Sequence, residues 1–146
     1  VTASLAKIGI KANIKLASID AMFTKFCVVQ RYIPEICTLG WLPDFKDPVT
    51  MLDPLFNGKA INPNYTNNGS LLDDPQVNAA IEKAKKVKNT QARYAAWGKV
   101  DRLVMLKAAV IMTQWANTPN VVSDRIVPAK SLWNAGLLDL SATWIK

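Results

Sequence analysis

Histidine is absent from the 146 residues, cysteine occurs only twice, and there is no CxxC pair. These gaps remove much catalytic chemistry. Zinc sites of the common kinds draw on histidine or on clusters of cysteine, and a His-based nucleophilic triad needs its imidazole base. No apolar run approaches the roughly 20 residues that a membrane-spanning helix requires. Internal repeats and low-complexity tracts are missing too. The opening, VTASLAKIGIKANIKL, has no initiator methionine and no charged n-region ahead of an apolar stretch, so it does not read as a signal peptide. It runs straight into patterned sequence, and the expectation is a piece of a longer chain or a processed product. Cys27 and Cys37 are either buried thiols acting as small hydrophobes or a disulfide, which would imply an oxidising compartment.

What is present is ordinary for a globular domain: half the residues are apolar and a fifth are charged. The length suits one domain with a real core. The net charge of +7 is concentrated in Lys83, Lys85, Lys86, Lys88, Arg93 and Lys99. These residues fall on the polar side of an amphipathic helix and read as a solvated face. The alternative is a basic nucleic-acid-binding domain, which calls for basic residues interleaved with exposed aromatics. Electrostatic steering of an anionic partner stays open.

Along the chain, Ser4 to Ile8 reads as a helix end stopped by Gly9. Ile10, Ala12, Ile14 and Leu16 alternate with Lys11, Asn13 and Lys15, the pattern of a half-buried strand. Asp20 is placed to cap a short helix bearing Met22, Phe23 and Phe26, and Glu35 to Leu39 reads as a second strand. With a helix over 48–56 the order becomes αβαβα, which favours an α/β layer. A polar loop rich in asparagine and glycine follows. Asp74-Pro75 starts a helix with Val77, Ala80, Ile81, Ala84 and Val87 at helical spacing, and Thr90 starts another with Tyr94, Trp97, Val100 and Val104. Trp97 reads as core. Gly98 inside that helix costs about 1 kcal/mol against alanine, and close packing is the expected reason for it. The runs AVIMTQW and NVVSDRI, on either side of residues 117–120, read as a pair of strands. The apolar tail SLWNAGLLDLSATWIK is built to pack against something. Two glycosylation sequons, at Asn64 and Asn68, carry little weight.

The stretch GWLPDFKDP, residues 40–48, raises the functional question. Asp47-Pro48 is a helix start, with aspartate as the cap and proline at the first helical position. Asp44 is left over, between Trp41 and Phe45. Either it braces the loop, or it serves a ligand. A third reading pairs Asp44 with Asp47 as the carboxylates of a glycosidase, against which Asp47 already has a structural task.

The longer stretch GWLPDFKDPVTMLDPLF resembles the signature segment of bacterial extracytoplasmic solute-binding proteins of the peptide/nickel type, the receptors that feed ABC importers. The matching positions are Gly40, Trp41, Asp44, Phe45, Asp47, Pro48 and Leu52 to Phe56. LAKIGIKANIKL, NNGSLLDDPQVNAAIEKAKKV and TQARYAAWGKVDRLVMLKAAVIMTQW resemble family passages in the same order, so the likeness covers nearly the whole chain. It implies an α/β fold, namely part of the C-terminal lobe of a two-lobed periplasmic-binding-protein type II fold with a mixed sheet and flanking helices. Residues 1–116 would be a partial C-terminal lobe, and 117–146 a returning strand and tail packed towards the missing N-terminal lobe.

The resemblance further implies a ligand-binding receptor component without enzymatic activity, cofactor or metal. It would bind peptide or another small solute by lobe closure and deliver it to ABC importer membrane subunits outside the cytoplasm, with no role for nucleic acid. Asp44 would take a peptide's α-ammonium group, Trp41 and Phe45 would line the pocket and shield that carboxylate, and the backbone near Gly40 and Leu42 would pair with the ligand. In a secreted receptor, Cys27 and Cys37 are expected to be disulfide-bonded. Two departures from the family pattern are Ser70-Leu71, in place of a small-aromatic pair, and Asn78, at a commonly acidic position.

Overall fold

Three helices carry the core. The computed structural model describes residues 2–114, 121–127 and 143–146, and in it α3 (Val49–Phe56), α4 (Pro75–Lys85) and α5 (Thr90–Leu106) pack on one another. Val77, Ile81 and Ala84 line one stripe of α4, and Trp97, Val100 and Val104 one stripe of α5. Phe56 closes the cluster from α3. Each large apolar side chain contributes about 1.5–3 kcal/mol on burial, so the predicted helical periodicities mark the true core. Tyr94, also on the predicted stripe, is exposed.

Local chemistry sets the helix ends. The Asp74 carboxylate accepts from the backbone N–H groups of Gln76 (2.9 Å) and Val77 (3.1 Å), with Pro75 in the first turn. Asn89, not Thr90, caps α5, accepting from Ala92 N–H at 3.0 Å. Gly9, at φ +81°, ends α1 (Thr2–Ala6). Its N–H donates to Ala6 O and that of Ile10 to Leu5 O, the paired bonds of a Schellman stop. Ser18, not Asp20, caps α2 (Ile19–Ala21), because its hydroxyl accepts from Ala21 N–H at 3.1 Å. A π-helical turn over Met22–Phe26 continues from α2.

Further expectations change. Residues 10–16 and 35–39 are irregular, not strands. A strand exists only where a neighbour completes its ladder, and no described segment pairs with either. Apolar residues there stand in solvent, Leu16 at 95 % exposure. Residues 109–114 are also irregular. The observed sheet joins β1 (Ile126–Val127) antiparallel to β2 (Trp144–Ile145), with Val127 opposite Trp144, instead of joining AVIMTQW to NVVSDRI. Another concerns Gly98, where a Cβ would meet open space, so close packing does not explain that glycine. Trp115, Trp133, residues 117–120 and most of the 117–146 tail lie outside the described residues. No helix among the described residues is long and apolar enough to cross a membrane.

Candidate functional site

The asparagine-rich loop before α4 forms a buried polar network. Asn68 is fully buried. Its Nδ2 donates to Asn57 O (3.3 Å) and Leu72 O (2.9 Å), and its Oδ1 accepts from Leu72 N–H (3.1 Å) and the Ser70 hydroxyl (3.0 Å). Such an asparagine is no glycosylation acceptor in this fold. Ser70 therefore has a task in this chain, and Leu71, at φ +53°, follows in the left-handed region. Asn78 has one too, since its Oδ1 accepts from Gly58 N–H (2.8 Å) while its Nδ2 donates to Asp73 (2.7 Å). A carboxylate there could accept but would repel Asp73. A Cβ at Gly58 would overlap the Asp73 carboxylate, so a larger residue there would displace Asp73 and its bond to Asn78.

This network clamps the preceding chain. Thr66 N–H donates to Val28 O at 2.6 Å, and Cys27 and Val28 are buried. Cys27 is joined to Cys37 by a disulfide, with Cα atoms 6.0 Å apart. The expected bond is therefore present, although Cys37 sits on irregular chain. Cys37 is in turn three residues before Gly40, so a covalent anchor lies just upstream of the 40–48 segment.

Within that segment the two aspartates differ. Asp47 Oδ1 accepts from Val49 N–H at 2.9 Å, as a helix cap should. It also receives a two-pronged contact from Arg93 of α5, Nε to Oδ2 at 2.6 Å and Nη2 to Oδ1 at 3.0 Å. Both side chains are only 20 % exposed. The Arg93 hydrogen bond holds the Asp47 carboxyl below its ordinary value of 3.8; partial burial opposes this, and the Val49 N–H adds to it. The same contact pushes the Arg93 guanidinium up. Arg93 is thus no member of a solvated basic face. Lys85 also leaves that face to meet Asp53 at 2.9 Å and Glu82 at 3.3 Å. The Asp47 cap was legible in the sequence, but the ion pair was not, because its partners stand 46 residues apart.

Asp44 is exposed and makes no hydrogen bond or ion pair with any described residue. Leu42 and Phe45 are exposed beside it, at 64 % and 52 %, so in this structure the expected aromatic shield of Asp44 stands open. The backbone polar groups of Gly40 and Leu42 are also unpaired among the described residues. An unpaired carboxylate, unpaired backbone and exposed rings could receive an extended polar chain with a cationic end. Next to them, Pro43, Phe45, Lys46, Asp47, Pro48, Met51 and Tyr94 line a shallow depression of about 300 Å³.

Trp41 has a structural bond that the sequence also carried, unread. Its Nε1–H donates to Thr50 O at 2.8 Å. In a helix that carbonyl would accept from residue 54, but Pro54 has no N–H. The proline frees an acceptor inside α3, and the indole takes it. Tryptophan at 41, together with proline four residues after Thr50, was the available signal. Since Asp47 is bound to Arg93, the two aspartates form no free carboxylate pair of the glycosidase kind. Among the described residues, no three metal-ligating side chains converge.

No family model matches the sequence, and no curated protein matches it either. Solved structures do match. One is titled clavulanic acid biosynthesis oligopeptide binding protein 2, with 30 % identity over 74 % of this chain and a TM-score of 0.62. Another is the ABC transporter-associated periplasmic binding protein DppA from Helicobacter pylori in complex with peptide STSA, with 29 % identity over 74 % of this chain and a TM-score of 0.65. In each case the match covers 20 % of the other protein's chain. The chain thus has the fold of a section of a periplasmic binding protein, about a fifth of its length, with helices and a small sheet. Both neighbours are named as binding proteins.

Proposed function

We propose that this chain is a section of the solute receptor of an ABC importer, that the receptor takes peptides, and that Asp44 binds the ligand's α-ammonium group. The observation that carries this reading is the contrast within one short segment. Asp47 is consumed by Arg93 and a helix N–H, whereas Asp44 is exposed and unpartnered among the described residues. Gly40 and Leu42 would pair with the ligand backbone as an added strand, and the faces of Trp41 and Phe45 would pack on it. Residues 1–116 would belong to one lobe, and 117–146 would return towards the other. Closure of that second lobe would then complete the pocket and shield the Asp44 charge from water. The disulfide favours an extracytoplasmic site of action, and the likeness to an oligopeptide-binding protein and to an ABC transporter-associated periplasmic binding protein supports both the peptide class and the importer.

The test is calorimetry on the whole receptor with free-amine peptides and the same peptides N-acetylated. Asp44→Asn removes a charge-assisted bond and should cost a free-amine peptide about 1.5–3 kcal/mol. Loss of the wild-type preference for the free amine is the expected result. Equal binding of both peptide sets by wild-type protein would show that Asp44 does not hold the ligand's ammonium group.

A further inference from the structure

Arg93 is far from Asp44 in sequence, yet it controls the segment that holds Asp44. Its Nε and Nη2 grip both oxygens of Asp47. Its remaining amino group, Nη1, donates to the carbonyls of Ala84 (3.3 Å), Lys85 (3.0 Å) and Val87 (3.2 Å) at the end of α4. The guanidinium carbon lies 5.8 Å from the centre of the Trp97 ring, itself 1 % exposed. One planar group thus joins the C-terminus of α4, the core of the α4–α5 pair and the start of α3. From Asp47 the constraint passes back along a short, stiff path. Asp47 N–H donates to Phe45 O at 2.7 Å, the Thr50 hydroxyl donates to Phe45 O at 3.4 Å and to Asp47 O at 3.0 Å, and prolines stand at 43 and 48. Asp44 itself makes no hydrogen bond or ion pair with any described residue, so its position relative to the core depends on this path.

We propose that Arg93 is a positioning residue for ligand capture, holding residues 44–48 in the geometry that presents Asp44 before a ligand arrives. The inference rests on the reading of Asp44 given above. Pre-setting the segment removes part of the ordering cost of binding. Lysine cannot do the same work, because a single ammonium lacks the planar fork that serves a carboxylate on one side and a row of carbonyls on the other.

The test is a double-mutant cycle in the whole receptor: Asp44→Asn, Arg93→Lys and the pair, probed with mixed free-amine tetrapeptides and their N-acetylated counterparts. Bound peptide is read by equilibrium dialysis and mass spectrometry. Arg93→Lys should weaken free-amine peptides about tenfold, within the usual range of coupling between interacting sites. It should also shrink the preference over acetylated peptides and speed amide exchange at residues 44–49 in the ligand-free protein. The pair should bind no more weakly than Asp44→Asn alone. Additive losses, with selectivity for the free amine intact in Arg93→Lys, would overturn the inference while leaving Asp44 as the anchor. A wild-type receptor that treats both peptide sets alike would sink the Asp44 reading itself, and the inference with it. Should Arg93→Lys fail to fold, Asp47→Asn replaces it in the same cycle, since it keeps the cap and weakens the fork. Non-additive losses would again support the inference, and additive ones would overturn it.

Discussion

Residues 49–110 and residues 2–39 use similar apolar side chains to opposite effect. In the first region Val77, Ile81, Trp97, Val100 and Val104 are almost wholly buried against one another. In the second, Ile8, Ile10, Ile14, Leu16, Ile19 and Ile36 stand largely in solvent. Helices close their own backbone hydrogen bonds and need a neighbour only for one face. A strand needs its neighbour for the backbone as well. The first region therefore closes its own apolar core as a helical unit. The second is held to it by the Thr66–Val28 hydrogen bond, with the Cys27–Cys37 disulfide closing a loop inside the second region and the Trp41–Thr50 bond fixing the linking segment to α3.

The sharpest way to break this contrast is to truncate one apolar residue in each region. Ile81→Ala should destabilise the fold by about 2–5 kcal/mol, the usual cost of such a core deletion. Leu16→Ala should change stability by less than about 0.5 kcal/mol, as at an ordinary surface site. Urea unfolding of both variants, followed by helical circular dichroism, gives the comparison. A large loss from Leu16→Ala would mean that the two regions share a core.

The tie of the linking segment to α3 can be tested at Trp41. Trp41→Phe keeps an aromatic ring but leaves the Thr50 carbonyl without its donor, at a cost of about 1–3 kcal/mol. The same change in a Pro54→Ala background should cost much less, since the new backbone N–H at position 54 would restore the helical bond. Equal costs in the two backgrounds, measured by chemical denaturation, would show that the indole acts by packing alone.

Two stabilising changes concern backbone positions of the helical unit. Gly98 lies within α5 with open space where its Cβ would be, so Gly98→Ala should stabilise by about 1 kcal/mol. Ala108 follows the α5 cap at φ +52°, and Ala108→Gly should relieve about 1 kcal/mol of left-handed strain. The two changes should add, as expected of separate sites. Thermal melts read both. A loss of stability from Gly98→Ala would indicate that this face of α5 is covered in solution.

By itself, the sequence determined the features whose cause is local. Asp47, Asp74 and Gly9 mark helix ends because their chemistry acts within a few residues. The apolar stripes of α4 and α5 follow from helical periodicity alone. The segment carrying Asp44 was also legible as the candidate site. Only tertiary structure decided what each aspartate there is free to do, since the Arg93 fork reaches Asp47 from 46 residues away. Only tertiary structure turned the polar loop into a buried network around Asn68, and it alone left residues 10–16 and 35–39 without a ladder. The physical reason is the same throughout. Caps and periodicities are satisfied by neighbours in sequence, while ion pairs, buried amides and strands are satisfied by neighbours in space.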